Sequence, residues 1–309
     1  MKQSNLVHRS PVAINLRSTL APLGWGATDP VFRLTTDGSA WWVTLTPDGP
    51  GTLQLQTRRA AGSVVGTSWG AGASWLLDRV PDLLGERDDP AGFDPTAAGS
   101  VGRVVAKAWG RHRRWRVPRT GRVFEACAAA VIEQKVTGRE ARHSWRVLLS
   151  RFGEPAPGPA PTGMFATPAP EVWRQLPEWD LRRAGVTPQR IHTLWTVAAA
   201  GKAVERTAEL DPAEADRVLR ALPGIGEWTS AKTRQRAHGD ADAVSFGDFH
   251  VSADLCWWLT GERGDDEQLR ELLRPFTGHR YRVQRLMELE RAGAPRRGPR
   301  FSPPPHRLA

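Results

Sequence analysis

The stretch that decides the fold is residues 211–259, DPAEADRVLRALPGIGEWTSAKTRQRAHGDADAVSFGDFHVSADLCWWL. Its DPAE start (211–214) is typical of a capped helix N-terminus with proline at the first helical position, so a helix is predicted up to Ala221. LPGIG (222–226) then predicts a tight hairpin, because proline ends the helix and the glycines allow positive φ. A second helix is predicted from Glu227.

The hairpin between these helices predicts a site for an anion. The backbone N–H groups of the hairpin and of the second helix's first turn have no acceptor within the helix and are expected to point outward. A DNA phosphate suits such a site, and contact through the backbone reads no base sequence. The residues expected to contact DNA here are Pro223, Gly224, Ile225, Gly226 and Thr229.

The distribution of charge also favours a polyanionic partner. Residues 1–100 contain 8 Lys and Arg against 9 Asp and Glu, and the rest contain 35 against 24. A GC-rich genome would explain the preference for Arg over Lys, but not why the surplus lies after residue 100. We therefore expect the second part of the chain to lie on double-stranded DNA.

Other features exclude several classes of protein. No apolar run is long enough to cross a bilayer and the N-terminus lacks the apolar segment of a secretory signal, so we expect no membrane role and a cytoplasmic, nucleoid-associated location. Cys127 and Cys256 stand far apart, which excludes a disulfide framework, a zinc site or an iron–sulfur cluster built from them. Both are predicted to be buried, inert thiols.

Strand and turn signals divide the chain. Residues 16–77 predict short antiparallel strands separated by Asp-Gly and Ala-Gly turns, and residues 74–85 have helical spacing. Everything after a loop rich in Asp, Pro and Gly is predicted to be helical. The predicted parts are a sheet domain (1–98), a helical domain (99–290) with its hairpin at 211–238, and a disordered basic tail (291–309).

Two further segments follow residue 100: a basic stretch and a predicted pair of helices. Residues 102–122 contain eight Lys and Arg and no acid; a solvated face is the default interpretation and a phosphate-facing surface is the alternative. Residues 123–152 predict two helices broken near Thr137 and Gly138, which makes 134–138 a turn.

The central stretch resembles the helix-hairpin-helix and Gly/Pro/Asp motif of DNA glycosylases, with LPGIGEWTSAK followed by an aspartate 26 positions after Leu222. Within that superfamily it is most similar to the bacterial 3-methyladenine DNA glycosylase II group. The resemblance covers most of residues 120–290, including EQKVTG and RPFTGHRYRV. It implies an α+β protein, with an N-terminal antiparallel sheet like the TATA-binding-protein fold followed by an all-α, two-lobed glycosylase domain.

By this resemblance Asp248 is the catalytic carboxylate. Cleavage of an N-glycosidic bond develops positive charge on the sugar, which a fixed anion stabilises, and the same carboxylate is able to orient the attacking water. The alternative is that Asp248 only caps the helix that follows, a role compatible with the first. Asp240 and Asp242 are weaker candidates, because GDAD reads as a turn.

Trp228 stands where bifunctional relatives have the lysine that forms a Schiff base, so hydrolysis by water is expected. The resemblance makes Trp228 a wall of the base pocket, stacking on an electron-poor alkylated base, and the alternative is a core position. Lys232 and Lys135 are expected to contact phosphates. The alternative that one of them is a Schiff-base lysine at a shifted position stays open. Positions near Lys232, Arg285 and Leu286, aromatic in close relatives, are not aromatic here.

A wedge must fill the gap that a flipped nucleotide leaves. The family places it in the turn that matches Gln134 and Lys135, and either residue fits the role here. Thr137 and His250 are further expected DNA contacts. The family also binds a monovalent cation, Na⁺ or K⁺, through hairpin carbonyls, which would here be those of Arg220, Leu222 and Ile225.

The sequence therefore predicts a monofunctional glycosylase that removes 3-methyladenine-type alkylated bases from duplex DNA and starts base excision repair. A noncatalytic DNA-binding protein and a bifunctional glycosylase/lyase are the alternatives. We expect double-stranded DNA with damaged bases as the partner, a monomer, and no cofactor required for catalysis.

Overall fold

The computed structural model describes residues 3–9, 14–58 and 63–295. In chain order these form an N-terminal sheet, a long series of helices and, within that series, a two-stranded ribbon. The elements are β1 Gln3–Arg9, α1 Leu16–Leu20, β2 Phe32–Leu34, β3 Ala40–Thr46, β4 Gly49–Arg58, β5 Ser63–Gly70, α2 Ala73–Asp78, α3 Val80–Leu83, α4 Gly99–His112, α5 Val123–Glu133, α6 Gly138–Phe152, β6 Glu154–Pro155, β7 Phe165–Ala166, α7 Pro170–Gln175, α8 Glu178–Arg183, α9 Pro188–Ala199, α10 Gly201–Arg206, α11 Pro212–Arg220, α12 Glu227–Ala237, α13 Val251–Thr260, α14 Asp266–Leu273 and α15 Arg280–Leu289.

The N-terminal sheet is antiparallel throughout, with strand order β1-β5-β4-β3-β2. The predicted strands within 31–58 are confirmed, and a turn at Asp48 joins β3 to β4 with Thr46 opposite Gly49. The prediction was wrong at the start of this region. Residues 16–20 form a helix rather than a strand, because the side chain of Asn15 accepts a hydrogen bond from Ser18 N and caps it.

One face of the sheet shares its core with the helices, and the other face packs Trp41 and Trp69 against the β6–β7 ribbon. One hydrophobic core joins Leu53 and Leu55 of the sheet to Phe124 of α5, Trp145 of α6 and Ile191 of α9. Along the chain, α4 begins at Gly99, the first residue of the predicted helical domain, while the division into domains stays a prediction. The packing, however, makes the sheet and the middle helices one unit.

A second hydrophobic core forms the other lobe. It joins α4 to α13, α14 and α15, and it includes Phe93 from the loop before α4. A fully buried ion pair between Arg282 and Asp88 ties that loop to α15. The two predicted lobes of the helical part therefore correspond to two separate cores, and α4 crosses to the lobe formed by the last helices.

Other predictions can be compared with the observed elements. The part predicted as all helical also contains the β6–β7 ribbon, which the sequence concealed because each strand has only two residues. Cys127 and Cys256 are buried, as predicted. Of the predicted tail, residues 296–309 lie outside the described residues. No helix in the described part is long and apolar enough to span a membrane.

The basic segment 102–122 belongs to the fold. Its two tryptophans, Trp109 and Trp115, are buried, and Arg122 pairs with Glu205. Several of its other cations are exposed, among them Arg103 and Lys107. The exposed cations are available to solvent or to phosphates, so both interpretations of this segment stay open.

Candidate active site and DNA interface

The predicted helix-hairpin-helix is confirmed at 212–237. Asp211 caps α11 by accepting hydrogen bonds from the backbone of Ala213 and Glu214. Pro223, Gly224 and Gly226 lie at the surface of the hairpin, and α12 begins without a side-chain cap. The first-turn N–H groups of α12 therefore keep their capacity to bind an anion.

Gly224 fixes the shape of the hairpin. Its φ is +88°, and a Cβ built at this position would lie 2.2 Å from the hydroxyl oxygen of Thr193 on α9. Glycine is the residue that meets both conditions. The hairpin is therefore held down on α9 by close backbone packing.

Two of the predicted DNA contacts, Ile225 and Thr229, have side chains that pack within the protein, and their predicted contact with DNA through the backbone stays a prediction. The side chain of Ile225 is buried, and its N–H donates to the carbonyl of Leu222 within the hairpin. The side chain of Thr229 is also buried, and its hydroxyl accepts a hydrogen bond from Gln134. Both side chains lie on the buried side of the hairpin and of α12, where they pack against the rest of the protein.

The turn between α5 and α6 lies against the hairpin. The side-chain amide of Gln134 donates to the carbonyl of Gly224 at 3.0 Å and to the hydroxyl of Thr229 at 2.9 Å. Lys135 is exposed, with a φ of +52°. Thr137 caps α6 in a reciprocal capping box with Glu140. The side chain of Gln134 is thus hydrogen-bonded to the hairpin and its helix, whereas the side chain of Lys135 is exposed.

Asp248 lies in the loop between α12 and α13, half-buried. Its Oδ2 accepts the indole N–H of Trp228 at 3.2 Å, and its Oδ1 accepts the backbone N–H of His250 at 3.0 Å. The alternative role, a cap on the following helix, is not what the structure shows. That helix begins at Val251, and its N-cap residue is His250, so Asp248 closes a turn before it.

Three hydrogen bonds hold this loop in place. Gln235 of α12 donates to the carbonyl of Ala243 and to the hydroxyl of Ser245, and the N–H of Gly247 donates to Asp266. Gly247 has a φ of +83°, which favours glycine just before the carboxylate. The loop therefore presents Asp248 from a rigid support.

The weaker aspartate candidates are structural. Asp240 is buried and pairs with Arg234; burial raises its pKa, while the guanidinium opposes that shift. Asp242 receives hydrogen bonds from the backbone of Gly278 and the guanidinium of Arg280. Both carboxyl groups are used in joining the loop to neighbouring helices.

A row of three side chains on α12 starts at Trp228, the residue that donates to Asp248. Trp228, Lys232 and Arg236 follow at intervals of four residues and so lie along one side of the helix. The ammonium of Lys232 lies 5.7 Å from the ring of Trp228, and the guanidinium of Arg236 lies 5.3 Å from the ring of Trp25. Lys232 is half-buried in this row; its predicted phosphate contact stays a prediction.

The facing wall of this row is the end of α5. Glu133 lies 3.8 Å from Lys232 and 3.9 Å from Arg236. We call the row formed by Trp228, Lys232, Arg236, Glu133 and Trp25 the charged groove. The backbone N–H of Trp25 donates to Asp29, a buried carboxyl group whose pKa burial raises.

Sequence reasoning missed several residues of the site. Arg236 had a usable signal, because it continues the four-residue spacing from Trp228. Glu133 had a weaker one, since it precedes the predicted wedge. Trp25 had none, because it comes from the distant N-terminal segment. Phe249, next to Asp248, is 90% exposed, and its ring contacts that of His250.

The other positions compared with aromatic residues of relatives lie outside the charged groove. Leu286 is buried in the second core. Arg285 pairs with Glu288 and lies over the ring of Trp115.

Solved structures share this architecture. A 3-methyladenine DNA-glycosylase from Archaeoglobus fulgidus matches with a TM-score of 0.72, covering 94% of this chain and 98% of that one at 18% identity. An 8-oxoguanine glycosylase/lyase from Clostridium acetobutylicum matches with a TM-score of 0.69, covering 94% and 97% at 13% identity. The chain has the fold of the helix-hairpin-helix DNA glycosylases. The resemblance predicted from the hairpin motif is confirmed.

Sequence comparison points the same way for part of this glycosylase-like chain. It is 31% identical over 174 residues to the "Probable bifunctional transcriptional activator/DNA repair enzyme AlkA" of Mycobacterium tuberculosis. The match covers 56% of this chain and 32% of that protein, so the chain spans about a third of the curated relative's length. No protein-family model matches the chain. The kinship of the sheet with the TATA-binding-protein fold stays a prediction.

Proposed function

We propose that this protein is a monofunctional DNA glycosylase, which hydrolyses the N-glycosidic bond of damaged bases in duplex DNA and so starts base excision repair. The observation that carries the proposal is the position of Asp248, held by Trp228 and by the backbone of His250 in a loop next to the hairpin helix. The name of the Archaeoglobus fulgidus protein, a 3-methyladenine DNA-glycosylase, supports alkylated purines as the substrate class.

The chemistry follows from what each residue offers. A nucleotide that leaves the base stack brings its sugar to Asp248, and the fixed carboxylate stabilises positive charge as the glycosidic bond breaks. The indole N–H of Trp228 and the N–H of His250 orient the carboxylate before reaction, so little reorganisation is needed. The ring of Trp228 is then the nearest aromatic wall for the departing base.

Binding of DNA is shared between the two turns. Exposed backbone at the hairpin would hold a phosphate, and the exposed side chain of Lys135 would enter the space left by the flipped nucleotide. Gln134, the other candidate wedge, is used in joining the turn to the hairpin. Phe249 and His250, both exposed beside Asp248, extend the same surface.

The hairpin carbonyls of Arg220, Leu222 and Ile225 suit a hard monovalent cation, because their donors are all oxygen. The carbonyl of Leu222 already accepts one hydrogen bond, from Ile225, and keeps a second lone pair for an ion. A cation held there would add positive charge to the anion site of the hairpin. We propose these carbonyls as its ligands, with no part in the chemical step.

The experiment that tests the function compares the protein with its Asp248→Asn variant on methylated duplex DNA, with released bases measured by chromatography. We expect release by the wild type and a loss of about 100-fold or more in the variant, because its fixed charge is gone. Asp48→Asn, an exposed turn residue of the sheet, is the control for loss of one carboxylate. Tight binding by both proteins with no release by either would favour a noncatalytic DNA-binding protein.

The monofunctional mode has its own test. Trp228 offers no amine where a Schiff base would form, so borohydride added with abasic DNA is expected to trap no covalent complex. Lys232 lies 5.7 Å from the Trp228 ring and is the amine of the charged groove. A trapped complex that disappears in Lys232→Met would replace the hydrolytic mechanism with a lyase mechanism.

A further inference from the structure

The charged groove contains an acceptor without a donor. Glu133 lies 3.8 Å from Lys232 and 3.9 Å from Arg236, and both distances are longer than a hydrogen bond. Its Oε2 is buried and accepts no hydrogen bond in the part of the chain that the structure describes. A buried carboxylate oxygen without a donor is costly, so a ligand that supplies a donor would be stabilised here.

The same groove contains a donor without an acceptor. The indole N–H of Trp25 is buried and has no hydrogen-bond partner among the described residues. Arg236 connects the two groups, because its guanidinium lies over the ring of Trp25 and faces Glu133. The groove thus offers an unsatisfied acceptor and an unsatisfied donor, together with two cations.

This pattern matches one edge of one kind of base. The Watson–Crick edge of guanine presents two donors, N1–H and the 2-amino group, beside the acceptor O6. A carboxylate can accept both donors through its two oxygens, and an ammonium, guanidinium or indole N–H can donate to O6. Adenine presents only one donor and one acceptor on this edge, so it would make one hydrogen bond fewer with Glu133.

We propose that Glu133 is a specificity-determining residue, whose carboxylate reads the donor edge of an extrahelical base and makes the site favour guanine-derived lesions over adenine-derived ones. The proposal rests on the glycosylase function proposed above and refines its substrate class. Lys232 and Arg236 hold the carboxylate between them and donate to the carbonyl of the base. Successive contacts link Glu133 through Lys232 and Trp228 to Asp248, so this reading element lies two residues away from the candidate catalytic carboxylate along the row.

A competition within a single substrate isolates this effect. Duplex DNA treated with a methylating agent contains methylated guanine and methylated adenine, and both lesions are cationic, so their attraction to the groove's charges is matched. At mildly acidic pH, where methylated guanine keeps its N1–H, we would measure the ratio of initial release rates of the two bases in one chromatogram. The proteins compared are the wild type, Glu133→Gln and the exposed-site control Glu171→Gln.

We expect Glu133→Gln to lower the ratio of methylguanine to methyladenine release by about tenfold, the factor expected for one hydrogen bond to a charged group. Glu171→Gln should leave the ratio unchanged. A merely structural ion pair would lower the release of both bases together and would not move the ratio. Thermal unfolding of each variant shows whether the fold is retained.

The outcomes separate the two proposals. An unchanged ratio in Glu133→Gln, with both bases still released, would overturn the role of Glu133 and leave the glycosylase function standing. Release of neither base by the wild type would remove the proposed function and this inference with it. A ratio that falls in Glu133→Gln and also in Lys232→Met would support a carboxylate and a cation that act together.

Discussion

The two turns that face DNA in the proposed function are built on opposite principles. The hairpin at 222–226 exposes backbone, and its one large buried side chain, Ile225, anchors it. The turn between α5 and α6 works through side chains: Gln134 joins it to the hairpin and Lys135 protrudes. A site that binds through backbone N–H groups needs glycine to leave the backbone open. A site that binds through side chains depends instead on the neighbouring groups that position those side chains.

The largest expected effect comes from adding a methyl group to the hairpin. Gly224→Ala would combine a positive φ with a clash against Thr193, and we expect a loss of about 3 kcal/mol in the free energy of unfolding. Gly226→Ala is the matched control, because a Cβ at this position would meet open space and its φ is −93°. Urea unfolding of the two variants measures the effect. Equal losses in the two variants would contradict the backbone-packing account.

A pH titration should reveal a middle-sized effect at the other end of the hairpin helix. Burial lowers the pKa of His238, which follows α12, to about 4, while its Nε2 contacts the carbonyl of Thr207. The unfolded chain therefore binds more protons than the folded one between that value and the ordinary histidine value of about 6.5. Stability is complete above this window and should fall as pH drops through it, by at most about 1.4 kcal/mol per pH unit.

His238→Gln is the variant that checks this assignment. It should flatten the stability profile between pH about 6.5 and 4, because glutamine does not titrate. Urea unfolding at several pH values gives the slope for each protein. A slope identical in wild type and variant would assign the acid sensitivity to other groups.

The smallest effects should separate the two side chains of the other turn. Gln134→Ala removes two hydrogen bonds to the hairpin and is expected to cost about 1–2 kcal/mol of stability. Lys135→Ala is an exposed change, and the free energy of unfolding should stay within about 0.5 kcal/mol. Base release by Lys135→Ala should nevertheless fall, since nothing would fill the gap in the duplex. The division of roles would fail if Lys135→Ala lost stability and Gln134→Ala did not.

Much of the site was predictable where one residue type answers one geometric need. Gly224 is required by a positive φ and a close approach, and Asp211 by the open end of a helix, so both positions could be identified from the sequence. The candidate carboxylate, Asp248, was identified through the resemblance that the hairpin motif carries, and its catalytic role stays a prediction. The role of Asp248 as a helix cap was wrong, because the helix begins three residues later and local capping patterns do not fix that boundary.

The side-chain contacts of the charged groove could not be predicted in the same way. Glu133 belongs to α5, Arg236 to α12 and Trp25 to the segment before the sheet, and no spacing along the chain relates them. Sequence reasoning also left the wedge undecided between Gln134 and Lys135. The hydrogen bonds of Gln134 to the hairpin, which exist because α5 and α12 pack together, support the proposal that Lys135 is the wedge.

The sequence by itself determined the helix-hairpin-helix and the sheet before it, because both depend on short-range preferences of proline, glycine, aspartate and alternating apolar residues. The choice of Asp248 as the candidate carboxylate came from the resemblance to the glycosylase family. Tertiary structure alone decided that the sheet shares a core with the middle helices, that Trp228 holds Asp248, and that Glu133 meets Lys232 and Arg236. The physical reason is that such contacts depend on how elements distant in sequence pack, which local preferences do not specify.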